Sequence, residues 1–180
     1  FPLAENQHRH GILDISIVPA RIPESLAESA RQMAAGLARG LDYVGVMAVE
    51  FFILADGRIV FNEMAPRPHN SGHYTLDACA TDQFQQQVRA LCGLPLGDPR
   101  LLTPVVMVNL LGDIWSGDAA RAQPRWEVLL AQPGVQLHLY GKAEARTGRK
   151  MGHYNCLAAK LEDALQIALS TRAELGIGRD

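Results

Sequence analysis

An α+β fold is what this 180-residue sequence predicts, and three patterns point to it. A β-branched run at residues 11–20 leads through prolines into a segment with helical spacing. Two strand-like runs then meet at a single Asp-Gly turn. After residue 100, short strand-like runs return and end in one more amphipathic helix. The expected architecture is antiparallel sheet with helices packed on it.

The first strand is read from Ile12, Leu13, Ile15, Ile17 and Val18, and Pro19 stops it. Pro23 and Glu24 open a helix, as proline and an acid do in a first turn. Leu26, Ala30, Met33, Leu37 and Leu41 lie on one face of it, which places Met33 in the core. The run 43–54 is apolar on both parities and reads as a strand covered on both sides. Ala55-Asp56-Gly57-Arg58 is the turn, and 58–63 returns as its antiparallel partner. Residues 64–74 hold two prolines and a glycine and read as a loop. Thr75 is the expected cap of a helix presenting Phe84, Val88 and Leu91, which Gly93-Leu94-Pro95 ends. Residues 104–111, 135–140 and 152–157 are read as strands, 141–151 as a basic, glycine-punctuated loop, and the segment from Leu161 through Leu165 and Leu169 as the last helix. Trp115 and Trp126 are read as packing anchors. A boundary is placed near residue 100, giving units 1–100 and 101–180.

Composition narrows the class. Apolar residues are 48% and charged residues 20%, which excludes a disordered chain. Lys plus Arg is 17 against 19 for Asp plus Glu, a net charge of −2, so no basic excess points to nucleic acid or an anionic membrane. No apolar run reaches the ~20 residues of a membrane-spanning helix. Cys79, Cys92 and Cys156 form no Cys-x-x-Cys pair, and buried reduced thiols in a cytoplasmic protein are expected. No Gly-x-Ser-x-Gly, Walker loop or His-Glu-x-x-His is present. The chain opens at Phe1 in mid-pattern, without a signal peptide, and is expected to be a piece of something longer.

Three clusters could hold chemistry. Glu50 interrupts an apolar strand and Glu63 ends its partner, so the hairpin brings two carboxylates onto neighbouring strands. A buried carboxylate needs a partner; Mg²⁺, which takes hard oxygen ligands beside phosphates, is one, and Arg67 or solvent is another. The second cluster, Arg67-Pro68-His69-Asn70-Ser71-Gly72-His73, gathers polar groups just after a strand end, where sites are commonly built. The third spans 141–153. Its segment 142–150 has four cations and one anion, a local balance of +3, and glycines that let backbone N–H groups approach an anion. A phosphorylated small molecule suits it better than nucleic acid, because no aromatic residues are interleaved.

Taken together, Glu50-Phe51-Phe52, the run Asn62-Glu63-Met64-Ala65-Pro66-Arg67-Pro68-His69-Asn70-Ser71-Gly72-His73, and Gly148-Arg149-Lys150-Met151-Gly152-His153 resemble the ATP-grasp ligases. Within these they are most similar to the enzymes that carboxylate aminoimidazole ribonucleotide in purine biosynthesis. The likeness extends over nearly the whole chain, including Phe1-Pro2-Leu3-Ala4-Glu5-Asn6-Gln7-His8 and Leu137-His138-Leu139-Tyr140-Gly141-Lys142. It implies the C-terminal half of an ATP-grasp domain followed by a small β-rich domain. It also implies Glu50 and Glu63 as ligands of Mg²⁺ or Mn²⁺, Asn62 and Glu63 at the nucleotide, and His8 near it. Arg67, His69 and Asn70 would act on bicarbonate and the imidazole substrate. Lys142, Arg149 and Lys150 would hold the substrate phosphate.

The implied partners are ATP, bicarbonate, aminoimidazole ribonucleotide, an N-terminal half and a second copy in a homodimer. Enzymes of this kind are about twice as long, so the 180 residues alone are expected to have little ligase activity. A formate-dependent glycinamide ribonucleotide transformylase shares the Pro-Arg-Pro-His stretch and is the nearest alternative. A non-catalytic module that binds a phosphorylated metabolite is the alternative of another class.

Overall fold

The computed structural model describes residues 1–115 and 123–178. Strands β1 (Glu5–Arg9), β2 (Ile12–Val18), β5 (Val105–Leu111), β7 (Lys150–Leu157) and β6 (Val135–Leu139) form one five-stranded sheet in that spatial order. All four pairings are antiparallel. Strands β3 (Ala48–Ile53) and β4 (Ile59–Ala65) make a separate two-stranded sheet. Helices α1 (Glu24–Gly40), α2 (Thr75–Ala78), α3 (Gln83–Leu91), α4 (Trp126–Leu130) and α5 (Leu161–Leu175), with 3₁₀ turns at Asn70–Gly72 and Gly112–Trp115, complete the described elements. The antiparallel sheet with packed helices matches the expected fold class.

Alternation along the central strands assigns two faces to the large sheet. Ile15, Ile17, Val106, Val108, Leu110, Tyr154 and Cys156 pack on one side with Leu129 of α4 and Ala164 and Ala168 of α5. Alanines at that contact allow the helix to lie close. Trp115 and Trp126 meet edge to face at 5.3 Å beside this core, as packing anchors do. On the other face Leu13, Val18, Val105 and Met107 pack on Tyr74, Ala78 and Cys79. Toward the site this second face becomes polar, with Asn109, His153 and Asn155 all buried.

Several expectations give way to packing. The strand expected at 43–54 begins only at Ala48, and it is not covered on both sides: Phe52 is 58% exposed and Phe61 on its partner 45%. Met33 is exposed, because α1 buries the smaller Ala27 and Ala30 instead. Thr75 does not cap the helix bearing Phe84. A one-turn helix intervenes, and Asp82 caps α3 by accepting from Phe84 N at 2.7 Å and Gln85 N at 3.0 Å. That helix turns Phe84, Val88 and Leu91 outward and buries Gln83 and Gln86. Cys92 is exposed, whereas Cys79 and Cys156 are buried. The large sheet draws strands from both expected units, 1–100 and 101–180, since β2 pairs directly with β5. Strand β1 escapes sequence reading because it is a polar edge strand without apolar alternation.

Candidate active site

Glu50 and Glu63 are cross-strand partners in the β3–β4 hairpin. Immediately beyond them the register slips, so that Phe51 pairs with Phe61 and Asn62 is the extra residue of a bulge. Bulges re-aim side chains next to their strand. The turn that permits this hairpin is closed by Asp56, whose carboxylate accepts from Arg58 N at 3.1 Å, and by Gly57 at φ 83°.

The chain leaving β4 returns over the hairpin and places His69 beside the acids. His69 Nδ1 lies 3.8 Å from Glu50 Oε1 and 2.9 Å from Ser71 Oγ. One ligand atom from each of Glu50, Glu63 and His69 falls within 4.8 Å of the others, a spacing that one metal ion can bridge. Two carboxylates suit Mg²⁺ or Mn²⁺.

A cavity of about 420 Å³ joins this cluster to the basic loop. Its wall includes His8, Glu50, Glu63 and His69 together with Lys142, Gly148 and Lys150. The carboxylates and the two lysines therefore share one space, although more than 75 residues separate Glu63 from Lys142. Burial pulls the Lys150 ammonium below the ordinary lysine range, with Glu50 and Glu63 opposing that shift and Arg67 and Lys142 adding to it. Burial likewise lowers the His69 imidazole against the pull of Glu50. Lys142 Nζ donates to the Lys150 carbonyl at 2.5 Å, which ties the two lysines' strand and loop together. His8 and Asn62 also line a second, larger cavity of about 630 Å³ between β1, α1 and β3.

The remaining sequence candidates fall in different places. Arg67 is exposed and donates to the Pro68 carbonyl at 3.0 Å, while its charge still acts on His69 and Lys150. Arg149 does not line this cavity, and it donates to the Glu144 carbonyl at 3.0 Å. Asn70 pairs with the buried Asn109 of β5. Its amide and that of Asn109 exchange two hydrogen bonds, 2.9 and 2.7 Å long, and Asn109 also donates to the Leu13 carbonyl at 2.7 Å.

Beneath the loop lies a layer that sequence reading missed. His138 stacks on His153 with ring centroids 4.6 Å apart, and His73 follows at 5.0 Å. Asp77 accepts from Asn155 at 2.6 Å and pairs with His138 Nε2 at 2.8 Å. Tyr140 Oη meets His153 Nδ1 at 2.9 Å. Burial pushes His73 down to about 4 and His153 down to about 3, so both rings are neutral near pH 7. The signal for this layer was the alternation of His153 and Asn155 with Tyr154 and Cys156, but their partners lie far away in sequence.

Comparison with known proteins adds a lineage to this geometry. Residues 1–84 match the family model of the ATP-grasp domain, and residues 105–167 match that of the phosphoribosylaminoimidazole carboxylase C-terminal domain. The N5-carboxyaminoimidazole ribonucleotide synthase of Bacillus subtilis is 48% identical over 166 residues, covering 92% of this chain and 42% of its own length. An N5-carboxyaminoimidazole ribonucleotide synthetase solved as its ADP complex superposes with a TM-score of 0.88 at 51% identity, over 99% of this chain and 46% of that one. The Aspergillus clavatus N5-carboxyaminoimidazole synthase, solved with ADP and 5-aminoimidazole ribonucleotide, gives 0.87 at 31%, over 98% and 47%. The chain thus spans less than half the length of these relatives. Among the described residues, no helix is long and apolar enough to cross a membrane.

Proposed function

The chain belongs to the N5-carboxyaminoimidazole ribonucleotide synthases of the ATP-grasp superfamily, of which it matches the C-terminal part, and from this premise we propose that it supplies the metal and phosphate side of an ATP-dependent carboxylation of 5-aminoimidazole ribonucleotide. The single observation that supports this most is the shared cavity, which Glu50, Glu63, Lys142 and Lys150 all line. A carboxylate pair alone is common, and so is a basic loop. Their convergence on one space is what a phosphoryl transfer between two anions requires.

In the proposed reaction a bicarbonate oxygen attacks the γ-phosphorus of ATP, the bond from that phosphorus to the bridging oxygen of ADP breaks, and carboxyphosphate forms. The exocyclic amine of the ribonucleotide then captures the carboxyl group, or CO₂ released from it, and phosphate leaves. A Mg²⁺ or Mn²⁺ ion bound by Glu50 and Glu63 would offset charge on the nucleotide phosphates. Lys150 and Lys142 place positive charge in the same cavity as those acids, where a transferring phosphoryl group or the substrate phosphate can take it up. His69, held neutral by burial, can exchange a hydrogen bond with bicarbonate. Asn62, re-aimed by the bulge, and His8, on the wall of both cavities, are assigned to the nucleotide. Arg67 is assigned to anion capture at the loop entrance. Arg149 spends one guanidinium N–H on the Glu144 carbonyl and is assigned to the substrate phosphate through the others, and the two-sided grip on Asn70 makes it a support for the loop.

The two family matches flank residue 100, which supports a two-part description even though the sheet is continuous. Cytoplasmic location and a homodimer remain part of the proposal. The test is ADP release by the full-length protein that carries this chain. Aminoimidazole ribonucleotide with bicarbonate should stimulate it. Stimulation by glycinamide ribonucleotide with formate instead would move the chain to the transformylase reading.

A further inference from the structure

We propose that Gln83 is the positioning residue of the site loop: its carboxamide, set in the space left by Gly72, grips the main chain of His69 and fixes which nitrogen of His73 bears the proton. Only the functional consequence rests on the reading above, and the bonds themselves are independent of it.

Gln83 is 2% exposed, the first residue of α3, and its side chain makes three hydrogen bonds. A backbone N–H can only donate, so the atom 2.9 Å from His69 N is the amide oxygen. The amide nitrogen then has two hydrogens to give. One goes to the His69 carbonyl at 2.9 Å and the other meets His73 Nδ1 at 2.8 Å. Nδ1 of His73 must therefore accept, and the ring is the Nε2–H tautomer. In effect one carboxamide satisfies both main-chain groups of His69, as a neighbouring strand would.

The grip is itself anchored. The Gln83 backbone N–H donates to the Thr75 hydroxyl at 3.0 Å, and that hydroxyl donates to the Gly72 carbonyl at 2.6 Å. A Cβ on Gly72 would stand 2.5 Å from the Gln83 amide oxygen, so glycine is needed there for closeness. Gln83 acts through its neighbours. With the His69 main chain fixed, its ring stays 3.8 Å from Glu50, beside the acids. With the His73 tautomer fixed, the loop ends on a neutral ring that donates only from Nε2.

The experiment uses the 180-residue chain labelled with ¹⁵N-histidine. Long-range ¹H–¹⁵N spectra at pH 7 should show His73 protonated at Nε2 alone. Gln83→Glu keeps an acceptor for His69 N–H but has no hydrogen for His73. It should leave His69 amide exchange unchanged while moving His73 to an Nδ1–H or imidazolium pattern. Gln83→Leu fills similar space without polar atoms, and His69 amide exchange should rise at least tenfold. An Nδ1–H tautomer in the unmodified chain overturns the assignment without any variant. Unchanged His73 spectra and His69 exchange in both variants would reduce Gln83 to packing and overturn it as well. Mn²⁺ titration of the unmodified chain, read as line broadening of the His69 signals beside Glu50 and Glu63, separates the two readings: no broadening there defeats the metal site and leaves the Gln83 assignment intact.

Discussion

Glu50 and Glu63 stand directly opposite each other across the β3–β4 pair, one step before the register slips. Opposed like charges weaken a sheet pair by about 0.2–1 kcal/mol, a cost that a bound cation reverses. Glu63→Gln should therefore raise the urea midpoint of the metal-free chain slightly while weakening Mn²⁺ binding at least tenfold in calorimetric titration. Loss of both stability and binding together would mean that Glu63 serves the fold rather than a cation.

Lys150 and Arg149 are adjacent but differently aimed. Lys150 lines the cavity and is half-buried, whereas the Arg149 guanidinium donates to the Glu144 carbonyl. A charge-assisted contact to phosphate contributes about 1.5–3 kcal/mol. Lys150→Met should cut pyrophosphate affinity, measured with Mn²⁺ present, by about tenfold or more. Arg149→Met should change it less. Equal losses would show that both cations reach the anion.

Asn109 holds the loop from below. It is 1% exposed and bonds both Asn70 and the Leu13 carbonyl. Asn109→Leu leaves those groups buried without a partner, at a cost of about 1–3 kcal/mol each. Urea denaturation should show a destabilisation of roughly 2–6 kcal/mol, the combined range for two such groups. A change below 1 kcal/mol would mean that the loop relaxes freely.

Acid should loosen the imidazole layer. Burial lowers His73 to about 4 and His153 to about 3, against about 6.5 in an unfolded chain. Between those limits the unfolded chain binds protons that the folded one refuses, so stability is full above pH 6.5 and falls as pH drops. The urea midpoint at pH 5 should lie clearly below that at pH 7, and His153→Gln should flatten the slope. A midpoint that is constant from pH 7 to 5 would contradict the neutral buried rings.

What the sequence made legible follows from range. The Asp56-Gly57 turn and its two flanking runs specify the hairpin locally, and with it the pairing of Glu50 and Glu63. Pro23 marks the start of α1 for the same reason. The buried face of α3 was not legible, because Gln83 and Gln86 are buried to stand in for backbone partners. Gln86 bonds both Gly97 N and Gly97 O at 2.8 Å. A hydrophobic pattern gives weight to Phe84, Val88 and Leu91 and passes over such amides. The net charge of the 142–150 loop was visible, but which of its cations face Glu50 depends on the bond of Arg149 to Glu144. The role of Asn70 depends likewise on Asn109, thirty-nine residues away.

The most direct test of the account is anomalous diffraction from crystals of this chain grown with Mn²⁺ and pyrophosphate. One manganese peak between the Glu50 and Glu63 carboxylates, with pyrophosphate oxygens turned toward Lys150, is the predicted result. Manganese bound elsewhere, with those two side chains unliganded and pyrophosphate absent from the cavity, would contradict it.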